Sequence, residues 1–229
     1  MDPRAICVPR LWLALAGLVL LGVTGPLAQE AAAVTGRVEI GIPIATRRPT
    51  TIYPLRTVPR AALAPESERR HVVVYMQGAR PQAVTPVKVA IRQLAEAFTP
   101  RVVAVPLGSE VEFPNDDPIY HNVFSLSRAK NFNLGRFPRG ATRSVRFDRV
   151  GVVKVFCEIH SHMSATVMVF DHPWFAIPGE DGRFALFGVP AGNRDITAWH
   201  ERLGDTTLRV RVEAGRPATA DFVLPVPEQ

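Results

Sequence analysis

Four side chains that can bind a soft metal ion lie close together in the segment GVVKVFCEIHSHM, residues 151–163. They are Cys157, His160, His162 and Met163, and a fifth candidate, His121, lies 36 residues before the cysteine in NDDPIYHNVFSL. A thiolate, two imidazoles and a thioether are the ligand set of a blue-copper site. The thiolate stabilises Cu(I), while imidazole suits both oxidation states. The sequence therefore predicts a copper site built from one strand end, its following loop and a distant second strand.

Cys157 has no predicted partner for a disulfide within the mature chain. The only other cysteine, Cys7, precedes an apolar run at residues 11–23 that has basic residues before it and small residues after it. This pattern is typical of a secretory signal peptide, so we expect residues 1–28 to be cleaved near Ala28, and a retained anchor is the alternative. An unpaired thiol in an oxidising compartment is a reactive thiol, an intermolecular bridge or a metal ligand.

Composition excludes several functions. The formal net charge is +6 over 229 residues, without a run of five basic residues or aromatic residues interleaved with basic ones. A nucleic-acid partner is therefore not expected. A multicopper oxidase needs many more histidines than the six present, and no Gly-rich phosphate loop or nucleophile motif occurs, so we expect no enzyme. A structural cysteine-rich zinc site is excluded because only one thiolate remains. Asp116 and Asp117 are interpreted as turn-forming residues, and His172 and His200 as isolated surface histidines.

Short alternating runs separated by Gly and Pro predict an all-β protein. The predicted organisation is a signal peptide (1–28), an N-terminal β segment and linker (29–84), a ligand-bearing sandwich (85–171) and a C-terminal β-sandwich (172–229). Residues 87–98 fit either a short amphipathic helix or a strand. In GVVKVFC, Val153, Val155 and Cys157 share one face, which directs the thiol toward the core.

These segments resemble the cupredoxins, the superfamily of plastocyanin and azurin. HNVFS is similar to the upstream ligand followed by Asn, and FCEIHSHM is similar to the cysteine strand and its ligand loop. FPN-D-P--HNVFS, CxIHxxM and AWHE resemble a group of bacterial periplasmic plastocyanin-like or methylamine-utilisation proteins. The C-terminal part resembles a carboxypeptidase-regulatory-like module.

The resemblance implies a Greek-key β-sandwich flanked by small β modules and one type 1 copper ion. It implies the ligands His121, Cys157, His160 and Met163, with His162 as the alternative loop ligand. It also implies that Asn122 connects the two ligand loops.

The expected function is that of a periplasmic carrier of single electrons between partner proteins. The redox partner would be a protein such as a c-type cytochrome or an oxidoreductase, and no membrane span is expected after signal cleavage. Two alternatives stay open. One is a copper carrier or sensor, and the other is a partner-binding β protein in which the copper site is secondary.

Overall fold

The computed structural model describes residues 32–41 and 67–224. The predicted signal peptide, residues 1–28, lies outside the described residues. Within them the structure contains strands and one 3₁₀ turn, Glu68–His71, and none of its helices is long and apolar enough to cross a membrane. The prediction of an all-β chain is confirmed.

The strands, in chain order, are β1 (Ala32–Ile40), β2 (Val72–Met76), β3 (Lys88–Ala90), β4 (Arg92–Leu94), β5 (Ala97–Thr99), β6 (Val102–Pro106), β7 (Glu110–Pro114), β8 (His121–Leu126), β9 (Asn131–Phe137), β10 (Thr142–Arg146), β11 (Gly151–Phe156), β12 (Ser164–Phe170), β13 (Phe175–Ala176), β14 (Arg183–Val189), β15 (Gly192–His200), β16 (Gly204–Val212), β17 (Ala218–Thr219) and β18 (Phe222–Leu224).

Strands β3–β12 form the central sandwich. Its five-stranded sheet has the order β6-β12-β11-β8-β9, and it faces the three-stranded sheet β10-β7-β3. The alternation read from the sequence explains the core, since Val111 and Phe113 of β7 and Val153 and Val155 of β11 are fully buried. Each such side chain contributes roughly 1.5–3 kcal/mol when it leaves water. Residues 87–98 form strands and the β4–β5 hairpin rather than a helix.

The remaining strands form the terminal sandwich. Its sheets have the orders β14-β1-β17, with β18 also paired to β1, and β13-β2-β15-β16. The sequence interpretation assigned β1 and β2 to a separate N-terminal segment, but in the structure both pair with C-terminal strands. The physical reason is that β1 and β2 bury apolar side chains, Val34 and Val74 among them, that neither strand can cover alone.

The two sandwiches pack against each other. Met168 and Phe170 of β12 and Val102 of β6 meet Val73 of β2 in a small apolar cluster. Met168, Phe170 and Val102 lie on the outer face of the five-stranded sheet, opposite the core of the central sandwich. Strand β12, which pairs with β11, is therefore packed on both of its faces.

Candidate metal centre

His121 and Cys157 lie at the same end of neighbouring strands. His121 begins β8, Cys157 directly follows β11, and the two antiparallel strands pair at Phe124 and Phe156. Successive side chains alternate between the faces of a strand, so Val123 and Val155 point inward, as do His121 and Cys157. His121 is 0 % exposed and Cys157 3 % exposed, which confirms the predicted inward direction of the thiol.

The loop after Cys157 returns to the same place over six residues. The backbone N–H of Met163 donates to the carbonyl oxygen of His160 at 3.0 Å, and the N–H of Cys157 donates to the carbonyl oxygen of Met163 at 3.4 Å. These bonds fold the loop so that the His160 ring reaches the end of β8. Met163 is 1 % exposed and belongs to the same buried cluster as Cys157.

Three potential ligand atoms form a compact triangle. Cys157 Sγ lies 3.9 Å from the Nδ1 atoms of both His121 and His160, and those two nitrogens are 3.1 Å apart. A point equidistant from all three atoms lies about 2.1 Å from each, close to the roughly 2.0–2.3 Å of metal–nitrogen and metal–sulfur bonds at zinc sites. The triangle therefore has the size that a single transition-metal ion requires.

The hydrogen bonds of His121 leave the correct nitrogen available. Its Nε2 lies 2.7 Å from Oδ2 of Asp117, whose side chain is 2 % exposed. A carboxylate only accepts hydrogen bonds, so Nε2 carries a proton, and Nδ1 is the ring nitrogen that faces Cys157 and His160. This is the arrangement found where a histidine binds a metal and donates its other N–H to a carboxylate.

In the metal-free protein the same contacts favour a thiolate beside a protonated His121 ring. Burial opposes ionisation of Cys157, but hydrogen bonding by His121 and by nearby backbone N–H groups outweighs it and lowers the pKa of the thiol. Burial likewise opposes the charged form of His121, yet Asp117 and Cys157 raise the pKa of its imidazole to about 9. The pKa of Asp117 is lowered because hydrogen bonds from His121, Glu96 and Ala95 outweigh burial. The lowered pKa favours the thiolate, which is the form of cysteine that binds a metal.

Asn122 connects the two ligand-bearing elements. It is 1 % exposed, and its Oδ1 accepts a hydrogen bond from the backbone N–H of Glu158 at 3.2 Å. Its Nδ2 donates to Oδ1 of Asn133 on β9 at 2.8 Å. The side chain therefore links the start of β8 to the loop after Cys157.

The structure brings His160, and not His162, to the thiol. His162 is exposed, and its Nε2 lies 3.1 Å from the carbonyl oxygen of Glu96.

The sequence interpretation missed Asp117, which it treated as a turn residue. An acidic residue four positions before a candidate histidine ligand was the available signal, because ligand histidines usually donate their second N–H to such a group.

A second cluster contains Glu68, His71 and His200. His200 is 2 % exposed and His172 5 % exposed, so the interpretation of both as surface histidines is wrong. The His172 ring is covered by the rings of Phe170 and Trp174. Nδ1 of His200 accepts from the backbone N–H groups of Arg202 and Leu203, both at 3.2 Å. Its proton is therefore on Nε2, which donates to the Glu68 carboxylate at 3.2 Å. These bonds leave His200 without the lone pair that a metal ligand needs.

No protein-family model and no curated protein matches the chain. Solved structures that resemble part of it include a purple cupredoxin from Nitrosopumilus maritimus, with 26 % identity, a TM-score of 0.32, and coverage of 37 % of this chain and 99 % of that one. Amicyanin from Paracoccus versutus matches at 19 % identity and a TM-score of 0.35, covering 42 % of this chain and 97 % of that one.

A copper-containing nitrite reductase from Thermus scotoductus matches at 23 % identity and a TM-score of 0.35 over 40 % of this chain. The match spans only 25 % of the reductase chain. Because all three TM-scores describe loose superpositions, we draw no functional conclusion from these likenesses.

Proposed function

We propose that the chain binds one copper ion through His121, Cys157 and His160, with Met163 as a weak fourth ligand, and carries single electrons. The triangle of Sγ and two Nδ1 atoms is the observation that carries this proposal. Its size suits any small transition-metal ion, but one thiolate, two imidazoles and a thioether favour copper. When bound, copper supplies a one-electron couple between Cu(II) and Cu(I).

The protein's own contribution is to hold the ligands still. His121 and Cys157 are buried and hydrogen-bonded, and the Cys157 loop is closed by backbone bonds at both ends. Fixed ligands need little rearrangement when the charge of the site changes, which favours fast electron transfer over release of the ion. This arrangement favours an electron carrier over a copper carrier or sensor.

The half-exposed ring of His160 is the proposed point of electron exchange. Two exposed apolar side chains are sequence neighbours of the ligands: Tyr120, 59 % exposed, precedes His121, and Ile159, 39 % exposed, precedes His160. A small apolar contact suits a transient partner. We propose a redox protein such as a c-type cytochrome or an oxidoreductase as that partner. We also propose a periplasmic location, which rests on the predicted signal peptide.

Titration of the purified metal-free protein with Cu(II) tests the proposal. We expect one equivalent to bind and to produce intense visible thiolate-to-copper absorbance. Cys157→Ser should abolish the absorbance, while His162→Ala, the matched loop control, should retain it. A colourless wild-type complex, or blue absorbance that survives Cys157→Ser, would refute the proposal. Rapid loss of copper to a weak chelator would favour the copper-carrier alternative.

A further inference from the structure

A buried carboxylate lies directly behind the proposed copper ligand His121. Asp117 Oδ2 is 2.7 Å from Nε2 of His121, and both side chains are almost completely enclosed, at 2 % and 0 % exposure. An ionised carboxylate is costly to bury without donors around it. The sequence nevertheless places one here, where an uncharged acceptor such as a backbone carbonyl would orient the ring equally well.

The hairpin between β4 and β5 holds this carboxylate in place. The backbone N–H groups of Ala95 and Glu96 both donate to Asp117, one to each carboxylate oxygen. Ala95 and Glu96 have φ values of 53° and 54°, a left-handed turn conformation that is uncommon for residues other than glycine. Such backbone strain is retained only where surrounding contacts stabilise it. Here the two hydrogen bonds to the Asp117 carboxylate stabilise this turn conformation.

A second support comes from Asn115, which directly follows β7. The backbone N–H of Asp117 donates to Oδ1 of Asn115 at 3.0 Å, and Nδ2 of Asn115 donates to the carbonyl oxygens of Ile119 and Phe137. Asn115 itself is 0 % exposed. The carboxylate is thus fixed relative to both β7 and β9, so its distance to the His121 ring is set by the fold.

We infer that Asp117 is a positioning residue that orients His121 and places a fixed negative charge behind it, which lowers the reduction potential of the site. This inference rests on the proposed copper function. A negative charge stabilises the more positively charged oxidation state, so it strengthens Cu(II) binding more than Cu(I) binding. Carboxylates that hold ligand histidines typically change metal affinity by about 10–100-fold.

Asp117→Asn removes the charge and keeps a side chain of nearly the same shape. We expect the affinity for Cu(II) to fall about tenfold more than the affinity for Cu(I). A tenfold difference raises a one-electron potential by about 59 mV. The matched control is Asp116→Asn, since Asp116 is the adjacent residue but pairs with Arg92 at the surface. The control should leave the potential unchanged within a few millivolts.

Protein-film voltammetry of the three copper-loaded proteins measures the shift. A potential that is unchanged or lowered in Asp117→Asn while blue absorbance persists would overturn the inference. If that variant does not fold, a measurement on the wild-type protein still tests the inference. In the metal-free protein, long-range ¹H–¹⁵N correlation should show His121 protonated at Nε2, with a proton that exchanges slowly with water.

A neutral His121 protonated at Nδ1 in that measurement would contradict the positioning role. This readout does not depend on copper. A wild-type protein that shows the Nε2 proton but no blue absorbance would refute the proposed function alone. A blue wild type without the Nε2 proton would refute this inference alone.

Discussion

Glu68 provides the clearest quantitative prediction for the terminal sandwich. One of its carboxylate oxygens lies 3.2 Å from His71 Nδ1 and 3.2 Å from His200 Nε2, and the other accepts from Arg202 Nη2 at 3.0 Å. The side chain is 19 % exposed, so water replaces these donors poorly. Hydrogen bonds to charged groups contribute roughly 1.5–3 kcal/mol each, and a glutamine keeps one accepting oxygen. We therefore expect Glu68→Gln to cost about 2 kcal/mol of unfolding free energy.

The cost should depend on pH in a definite direction. Hydrogen bonds from His200 and His71, and the charge of Arg202, hold the pKa of Glu68 well below its ordinary value despite burial. A carboxylate with a lowered folded-state pKa stabilises the fold above its unfolded pKa, about 4.3 for Glu, and this stabilisation is lost as the pH falls toward the folded pKa. The difference between wild type and Glu68→Gln should therefore be largest near pH 7 and shrink below about pH 4.

Urea unfolding at pH 7 and pH 3, followed by circular dichroism, measures both effects. Glu39→Gln is the matched control, since Glu39 is 56 % exposed and should change the free energy by less than about 0.5 kcal/mol. Equal effects of the two variants at pH 7 would refute the hydrogen-bond argument. A second result would also refute it. If zinc stabilises a Cys157→Ser protein and the added change Glu68→Gln removes that stabilisation, the cluster is a metal site.

Two further predictions concern the ligand loop and the close contact of β1. His160→Ala should abolish the blue absorbance of the copper-loaded protein, whereas His162→Ala should retain it, and absorbance spectra after copper titration distinguish them. Gly36→Ala should destabilise the fold by about 3 kcal/mol or more, because an added Cβ would overlap the carbonyl oxygen of Ala220. Gly41→Ala is the control, since its Cβ would lie 3.8 Å from its nearest neighbour; equal melting temperatures for the two variants would contradict this.

Strand parity made much of the site predictable. Val153, Val155 and Cys157 alternate with Lys154, and that spacing alone directs the thiol into the core. His121 and Cys157 are 36 residues apart in the sequence, so they can meet only if the strands beside them are neighbours. Strands β8 and β11 are neighbours in one sheet. Residue types and spacing therefore identified His121 and Cys157 as candidates, the resemblance favoured His160 over His162, and the fold brings His121, Cys157 and His160 together.

Pairing between distant segments was not predictable in the same way. Each of β1 and β2 reads as an isolated strand, and alternation does not identify which strand will cover its apolar face. The pairing of β1 with C-terminal strands depends on close approaches such as that of Gly36 to Ala220. A local sequence pattern does not predict such an approach. Asp117 was misjudged for a similar reason: NDDP is a common turn sequence, and the donors of Ala95 and Glu96 reach it from a hairpin 21–22 residues earlier.

The two histidine clusters show why proximity alone does not identify a metal site. Each brings two imidazoles and one further ligand atom, a thiol sulfur in one cluster and a carboxylate oxygen in the other, within 4.8 Å of one another. In the terminal sandwich the backbone donates to His200 Nδ1, so the ring must donate its remaining proton to Glu68 and offers no lone pair. In the central sandwich the Asp117 carboxylate lies on the far side of His121, so the nitrogen that faces Cys157 is Nδ1. The position of the hydrogen-bond partners, rather than the count of ligand types, therefore distinguishes the cluster proposed to bind a metal from the cluster that joins the 3₁₀ turn Glu68–His71 to β15.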